Sequence, residues 1–246
     1  IDPVYDAAGN MRQGPQPQQL MGGTGETVRL HYKYDAWQRM TGVYADSEGQ
    51  PILAWCTYSY DGLNRCVCRR DGTMRVPTWY YHNESWQVLE GRGANGTLKM
   101  QYVWDERYID AAVCRDRNLN SDEDCTDAAT AGSRYGTPGN AGDEHLYYCQ
   151  DGNFNVTALV DSWDGAVVGR YRYEPYGKPT ALKGVRDELG QDTGGSEWQP
   201  QQGLPYDNDI LYCGYRYDYY CAGHYHVRHR VYHPTLGRWM QRDPIG

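Results

Sequence analysis

Three similar stretches decide the fold: YDAAGNM at residues 5–11, YDAWQRM at 34–40 and YDGLNR at 60–65. In each stretch a tyrosine precedes an aspartate, and turn-forming residues follow. Tyrosine favours half-buried strands. The aspartate side chain accepts hydrogen bonds from the backbone N–H groups that follow it, and glycine or asparagine then takes the positive-φ position. Each unit therefore ends one strand, turns and begins the next, so the repeat predicts an array of hairpins.

The composition also predicts an all-β protein. The chain of 246 residues has 24 Tyr and 8 Trp but 1 Phe, so nearly every aromatic ring carries a hydrogen-bonding tip, as partly wet sheets prefer. It also has 29 Gly and 12 Pro, which is too many for long helices. No window longer than about two turns has a clear 3.6-residue apolar period.

The chain divides by pattern into two parts. Residues 1–110 are predicted to form YD-repeat hairpins, and the alternation of TVRLHYKY at 27–34 is typical of a half-buried strand. Residues 111–246 form the second part, with irregular loops at 116–143 and 183–209, the latter expected to be a flexible surface loop. We expect one continuous sheet through both parts.

Charge and hydropathy exclude two classes of partner. The net charge is −8 without an offsetting basic stripe, which argues against nucleic acid. No apolar run approaches the roughly 20 residues that a membrane-spanning helix needs. The chain begins inside a repeat and has no initiator Met, so we expect a piece of a longer precursor or a product that has lost its targeting segment.

The even number of cysteines favours disulfides and an oxidising compartment outside the cell or on its surface. Buried free thiols and a zinc site are the alternatives, and for zinc the only close spacing is the CxC of Cys66 and Cys68. The eight residues are Cys56, Cys66, Cys68, Cys114, Cys125, Cys149, Cys213 and Cys221.

Local pairing is the expected arrangement of these disulfides. Cys56 and Cys68 flank the turn at 61–64, where facing residues of a non-hydrogen-bonded pair lie about 4.5 Å apart at Cα. The other expected pairs are Cys114 with Cys125, which closes the acidic loop, and Cys213 with Cys221, which clips the last Tyr-Asp hairpin. Cys66 and Cys149 then remain to pair with each other or between subunits.

The acidic stretch DRNLNSDEDCTD at 116–127 has the oxygen spacing of a calcium loop. Ser121 stands where such loops have glycine, Asp127 replaces the usual glutamate, and no helices flank the stretch, so a solvated acidic loop is the alternative. The predicted calcium ligands are the side chains of Asp116, Asn118, Asn120, Asp124 and Asp127 and the carbonyl of Asp122.

Four stretches resemble the C-terminal core domain of the Rhs (YD-repeat) proteins, and their sequences are most similar to the planctomycete members. They are QYVW at 101–104 with RYIDAAV at 107–113, LYYCQDGNFNVTALVD at 146–161, YRYEPYG at 171–177 and YHPTLGRWMQRDPIG at 232–246. The resemblance implies a sheet of antiparallel hairpins that spirals into a hollow shell or part of one. Members of this family enclose a variable C-terminal toxin, and teneurins use a related shell for adhesion.

The same resemblance implies a self-cleavage site. In the family, two aspartates hydrolyse the chain shortly after the terminal motif, and the matching residues here are Asp218 and Asp243. A carboxylate pair can act in this way if one member is protonated and the other activates the attacking group. Turn capping by both residues is the alternative. Such a reaction would be a single turnover, so we do not expect an enzyme acting on other substrates.

A block rich in Tyr, His and Arg, YHVRHRVYH at 225–233, is predicted to form one strand. Its alternation places His226, Arg228 and Arg230 on one face. Cross-strand pairing is the expected use of these side chains, with a metal or catalytic role for the histidines as the alternative.

Three functions remain after these exclusions. Small size, the absence of a following toxin and the cysteine count favour an extracellular structural protein that polymerises with copies of itself into a filament or ring, because a short sheet has open edges. The first alternative is the autoproteolytically released core end of a toxin-enclosing shell. The second is a module that binds carbohydrate or a cell surface through its Tyr- and Trp-rich faces.

Overall fold

A computed structural model of the protein describes residues 2–16, 29–47, 50–72, 76–120, 124–125, 143–183, 198–201, 203–221 and 223–243. Within these ranges the regular structure is nineteen strands and three short 3₁₀ helices, so the predicted all-β fold is confirmed. None of the helical turns in this part of the chain is long and apolar enough to cross a membrane.

The strands are β1 (Val4–Tyr5), β2 (Met11–Pro15), β3 (Arg29–Tyr34), β4 (Met40–Ser47), β5 (Gln50–Tyr60), β6 (Cys66–Asp71), β7 (Pro77–His82), β8 (Val88–Arg92), β9 (Leu98–Trp104), β10 (Ala112–Arg117), β11 (Glu144–Gln150), β12 (Val156–Asp161), β13 (Val167–Tyr173), β14 (Pro179–Lys183), β15 (Gln199–Pro200), β16 (Arg216–Asp218), β17 (His224–Val227), β18 (Arg230–His233) and β19 (Arg238–Trp239). The 3₁₀ helices are Pro205–Asp207, Tyr212–Gly214 and Tyr219–Cys221.

The chain forms two compact units. Unit 1 comprises Ile1–Thr78, Pro175–Lys178 and Arg216–Gly246, and unit 2 comprises Trp79–Glu174 and Pro179–Tyr215. The boundaries of these compact units do not fall at residue 110. The division at residue 110 concerns where the repeat pattern ends, and it stays a prediction.

Unit 1 contains two antiparallel sheets. Strands β1 to β6 pair in chain order, and β16 to β19 form a second sheet of four strands, also in chain order. In β3 the exposed Arg29 and Lys33 alternate with the buried Leu30 and Tyr32, as the sequence predicts. This alternation gives the first sheet one apolar face.

The second sheet and the segments that adjoin its strands cover this apolar face. Cys221, Val231 and Met240 belong to the same buried cluster as a set of residues from the first sheet. The Met11 N–H donates to the Met240 carbonyl over 2.8 Å, so backbone hydrogen bonding also joins the two sheets. The residues from the first sheet are Met11, Leu30, Tyr32, Met40, Val43, Cys56 and Tyr58.

Unit 2 is a meander in which β7 to β15 pair antiparallel in chain order. Its interior contains the charged side chain of Arg115, which is 2% exposed. The Arg115 guanidinium donates to Glu144 Oε1 at 2.6 Å and to the carbonyls of Tyr206 and Asp207. A buried charge is tolerated here because it is paired with a carboxylate and donates to two backbone carbonyls as well.

Because Tyr206 and Asp207 accept hydrogen bonds from the buried Arg115, the prediction of a surface loop at 183–209 is wrong for its last residues. Tyr206 is 4% exposed and Asn208 is fully buried, because both lie over the interior of unit 2. The predicted loop at 116–143 also begins too early, since Asp116 and Arg117 are the last residues of β10. Residues 121–123, 126–142 and 184–197 lie outside the described ranges.

The Tyr-Asp turns share one geometry. Asp35 Oδ1 accepts from the N–H groups of Trp37 and Arg39, and its Oδ2 accepts from Arg39 Nε. Asp61 repeats all three bonds with Leu63 and Arg65. The position three residues after the aspartate has positive φ in each turn, as in a type I turn that ends in a bulge.

Glycine or asparagine occupies this positive-φ position at Gly9 and Asn64, as the sequence predicts, whereas at Gln38 the prediction is wrong. Outside the three Tyr-Asp stretches, Trp86 and Phe154 also have positive φ, three residues after Asn83 and Asp151. A left-handed conformation costs such residues about 1–2 kcal/mol each, which the capping bonds of the turn offset.

Candidate functional site: the Asp218 cluster

Asp218 is a carboxylate in the interior of unit 1. It ends β16, where its side chain is 2% exposed. Its Oδ1 accepts from Arg69 Nη1 at 3.0 Å, and its Oδ2 accepts from the Tyr58 hydroxyl at 2.8 Å. The Nε2 atom of His226 lies 3.5 Å from the same Oδ2. We call Asp218, Tyr58, Arg69 and His226 the Asp218 cluster.

Two sheets supply the cluster. Tyr58 of β5 faces Arg69 of β6 directly, so antiparallel pairing places a phenol and a guanidinium side by side. His226 lies on β17, whose register brings its neighbour His224 opposite Asp218. The tyrosine and the arginine are therefore ready-placed donors for the carboxylate of the second sheet.

The surroundings of Asp218 and Tyr58 shift both pKa values and so fix the protonation states of the two side chains. Burial alone would raise the pKa of Asp218, but the Arg69 charge, His226 and the Tyr58 hydrogen bond outweigh burial and lower the pKa well below its usual range. The pKa of Tyr58 is raised well above its usual value, first by burial and then by the Asp218 charge. At neutral pH the group is thus a carboxylate with a neutral phenol.

A disulfide lies beside the cluster. Cys56 of β5 pairs with Cys221 of the 3₁₀ helix that follows Asp218, and their Cα atoms are 5.4 Å apart. Both residues are fully buried. The two sulfurs and a carboxylate oxygen of Asp218 all lie within 4.8 Å of one another.

This pairing corrects the predicted local disulfides. Cys56 faces Asp71 and Cys68 faces Ser59, because the turn pairs Tyr60 with Cys66 and a bulge between Ser59 and Tyr60 shifts the register by one further residue. Cys221 is taken by Cys56, so it does not pair with Cys213. Within the described part of the chain Cys66, Cys114, Cys149 and Cys213 are free thiols, so the predicted bond between Cys114 and Cys125 and the predicted bond between Cys66 and Cys149 are not formed. Cys68 is a free, buried thiol.

The second aspartate of the predicted cleavage pair has a different environment. The side chain of Asp243 is 49% exposed, and its Oδ2 lies 3.1 Å from Arg230 Nη1. Residues 244–246, which complete the terminal motif, lie outside the described ranges. Self-cleavage by Asp218 and Asp243 therefore stays a prediction, to which the structure adds that Asp218 is buried and ionised.

The predicted calcium ligands are described only in part. Asp116 lies in β10, and its Oδ1 is 2.8 Å from His145 Nδ1. Asn118 and Asn120 follow this strand, and Asp124 is also described, whereas Asp122 and Asp127 lie outside the described residues. Calcium binding stays a prediction.

The histidine-rich block is a hairpin and not the single predicted strand. Arg228 and His229 form its turn, with positive φ at Arg228, between β17 and β18. Sequence reasoning missed this turn because neither residue is a usual turn former. It also missed Tyr58, Arg69 and His226 as partners of Asp218, since two of them lie about 150 residues away in the chain.

Comparison with known proteins gives matches to solved structures alone. No protein-family model matches the chain, and no curated protein matches it. A crystal structure of TcdB2-TccC3 without its hypervariable C-terminal region is similar over 100% of this chain and 9% of that chain, with 17% identity and a TM-score of 0.43. A structure of the Photorhabdus luminescens Tc holotoxin pore with a mutated TccC3 is similar over 98% of this chain and 14% of that chain, with 13% identity and a TM-score of 0.40. This chain thus spans a small fraction of those proteins.

Proposed function

We propose that this chain is a segment of the wall, near the core end, of an Rhs-type shell that encloses a toxin. The observation that carries the proposal is that strands β16 to β19 and the segments beside them cover the first sheet of unit 1. The Rhs-like sequence of residues 101–177 and 232–246 supports it. A shell end needs a C-terminal segment that is fixed against the preceding hairpins, and this packing supplies that fixing.

The covering is extensive and specific. The Tyr32 hydroxyl lies 3.2 Å from His224 Nε2, and His233 Nε2 lies 2.9 Å from the Pro15 carbonyl, with both histidines fully buried. The core residues Met11 and Leu30 are likewise closed off from solvent by the chain itself. Because this apolar face is covered within the chain, it is not available to another copy, so the packing supports the shell over a filament whose copies join through their sheet faces.

The test is the mass of the native polypeptide. An antibody raised against this chain is used on a reduced, denatured extract of cells that produce the protein. The shell proposal expects the antigen on a polypeptide several times longer than 246 residues. An antigen of about this length that sediments as a polymer before denaturation would instead support the filament or ring of identical copies that the sequence predicts.

We propose further that Asp218 acts as the ionised member of a self-cleaving pair with Asp243. The low pKa of Asp218 favours this role, since the pair needs one carboxylate that stays charged. The test appends the natural downstream residues and a reporter protein after Gly246. Release of the reporter should stop in Asp218→Asn and Asp243→Asn and continue in Asp61→Asn, a matched change in a turn. Equal release by all four proteins would overturn the proposal.

A further inference from the structure

We propose that the reduced protein binds a zinc ion through Cys56, Cys221 and Asp218, and that the disulfide replaces this ion on oxidation. The three ligand atoms lie within 4.8 Å of one another and all three residues are buried. They come from β5, from β16 and from the 3₁₀ helix Tyr219–Cys221, so the folded chain brings them together. This inference does not rest on the proposed shell.

The ligand atoms suit zinc. Thiolate sulfur and carboxylate oxygen are both common zinc ligands, at about 2.3 Å and about 2.0–2.2 Å from the metal. Tetrahedral ligands at such distances lie roughly 3.3–3.8 Å apart. Reduction breaks the bond between the sulfurs of Cys56 and Cys221 and lets them separate toward this spacing.

Asp218 keeps room for a metal. A carboxylate offers about four lone-pair positions, and Arg69 and Tyr58 occupy two of them. The charges also balance, because two thiolates and one carboxylate carry three negative charges while zinc and the Arg69 guanidinium carry three positive ones. Arg69 would therefore orient the ligand from outside the metal site, as second-shell partners do.

We assign the fourth ligand position to His226. Its Nε2 lies 3.5 Å from Asp218 Oδ2, and within the described part of the chain this buried atom makes no hydrogen bond beyond that long contact. A buried imidazole nitrogen with only a long polar contact is poorly satisfied, and coordination to a metal would satisfy it.

Zinc and the disulfide exclude each other. When a low-molecular-weight disulfide oxidises the site, the two thiolates join as Cys56–Cys221, and zinc leaves as a free ion. The two electrons pass to the oxidant, which takes up two protons and becomes two thiols. The cell interior keeps thiols reduced and the exterior favours disulfides, so the zinc form belongs to the first environment and the disulfide form to the second.

Zinc titration of the metal-free protein tests the site. The protein is reduced with a phosphine, and zinc is added in competition with a coloured chelator. We expect the reduced wild-type protein to bind one more tight zinc ion than the same protein oxidised to its Cys56–Cys221 disulfide. Cobalt added to the reduced protein should give a thiolate-to-cobalt charge-transfer absorption. Equal zinc binding before and after oxidation would overturn the proposal without any variant.

Variants identify the ligands among the eight cysteines. Cys221→Ser should abolish the additional site, and Asp218→Asn should weaken it at least about tenfold. The matched control is the double variant Cys66→Ser and Cys68→Ser, which removes a CxC pair but should leave the additional site intact. Circular dichroism establishes that each variant is folded. Loss of the site in the control, or its retention in folded Cys221→Ser, would also refute the assignment.

Discussion

At the scale of single residues, Asp218 shows how a sheet tolerates a buried charge. Its partner Arg69 is 20% exposed, whereas Asp218 is 2% exposed. Arg69→Ala would leave the carboxylate buried without its cation, and we expect a loss of about 3 kcal/mol in the free energy of unfolding at pH 7. The control is Arg65→Ala, which breaks the more exposed pair with Asp61 and should cost less than about 1 kcal/mol. Urea titration measures both.

The effect of Arg69→Ala should depend on pH. The pKa of Asp218 is lower in the folded than in the unfolded protein, so its contribution is present above the unfolded value of about 3.8. This contribution is lost as the pH falls below that value. The difference in stability between wild type and Arg69→Ala should therefore narrow below about pH 4. A difference that is constant from pH 7 to pH 3 would contradict the ionised pair.

Gly214 illustrates a residue whose identity is set by its neighbour. It has a φ of +71°, and a Cβ atom there would overlap the Asp110 carbonyl oxygen. Because that oxygen belongs to the backbone, Gly214→Ala should cost more than about 3 kcal/mol. Gly96 has a φ of +84° with open space around it, so Gly96→Ala should cost only about 1–2 kcal/mol. Thermal unfolding of both variants makes the comparison, and equal costs would contradict the close contact.

At the scale of the hairpin, stability can be increased by a glycine at the positive-φ position of a Tyr-Asp turn. Gln38 is exposed and has a φ of +63°, where glycine is free of steric cost. Gln38→Gly should raise the free energy of unfolding by about 0.5–1 kcal/mol. Gln38→Ala keeps the left-handed cost and should give no gain. If alanine stabilised the protein as much as glycine, the gain would not come from the backbone conformation.

Hairpins could be predicted from sequence because their causes are local. The Asp61 side chain bonds to N–H groups two and four residues ahead, so a stretch of five residues contains the whole turn. Strand register could not be predicted, since the bulge at Ser59 and Tyr60 depends on how the partner strand fits. The turn at Arg228 carries no glycine, asparagine or aspartate, so its sequence gives no sign of a turn.

At the scale of the whole molecule, contacts between residues far apart in the sequence could not be predicted. Alternation in β3 and β5 indicates a buried face, but nothing local indicates that β16 to β19 cover it. Any of several cysteines could have met Cys56. Only the packing of the second sheet on the first selects Cys221, with a sequence separation of 165.

This long separation makes the disulfide a strong constraint on the unfolded chain. Closing a loop of this length is expected to stabilise the protein by up to about 5 kcal/mol through the entropy of the unfolded state. Adding a phosphine reductant, with a chelator to remove metal, should therefore lower the urea midpoint markedly. The double variant Cys56→Ser and Cys221→Ser should unfold at the same midpoint with and without reductant. A reductant-sensitive double variant would mean that other cysteines are linked.

The bond between Cys56 and Cys221 also makes most of the chain a covalent ring. A protease that cuts one peptide bond inside this ring opens it without producing two molecules, because the sulfurs still hold both pieces. Such a nicked protein would keep the mass of the intact chain, increased by one water, until a reductant reached the disulfide. Cleavage in the tails outside the ring would release a fragment at once. A cut inside the ring therefore leaves one molecule, whereas a cut outside it gives two.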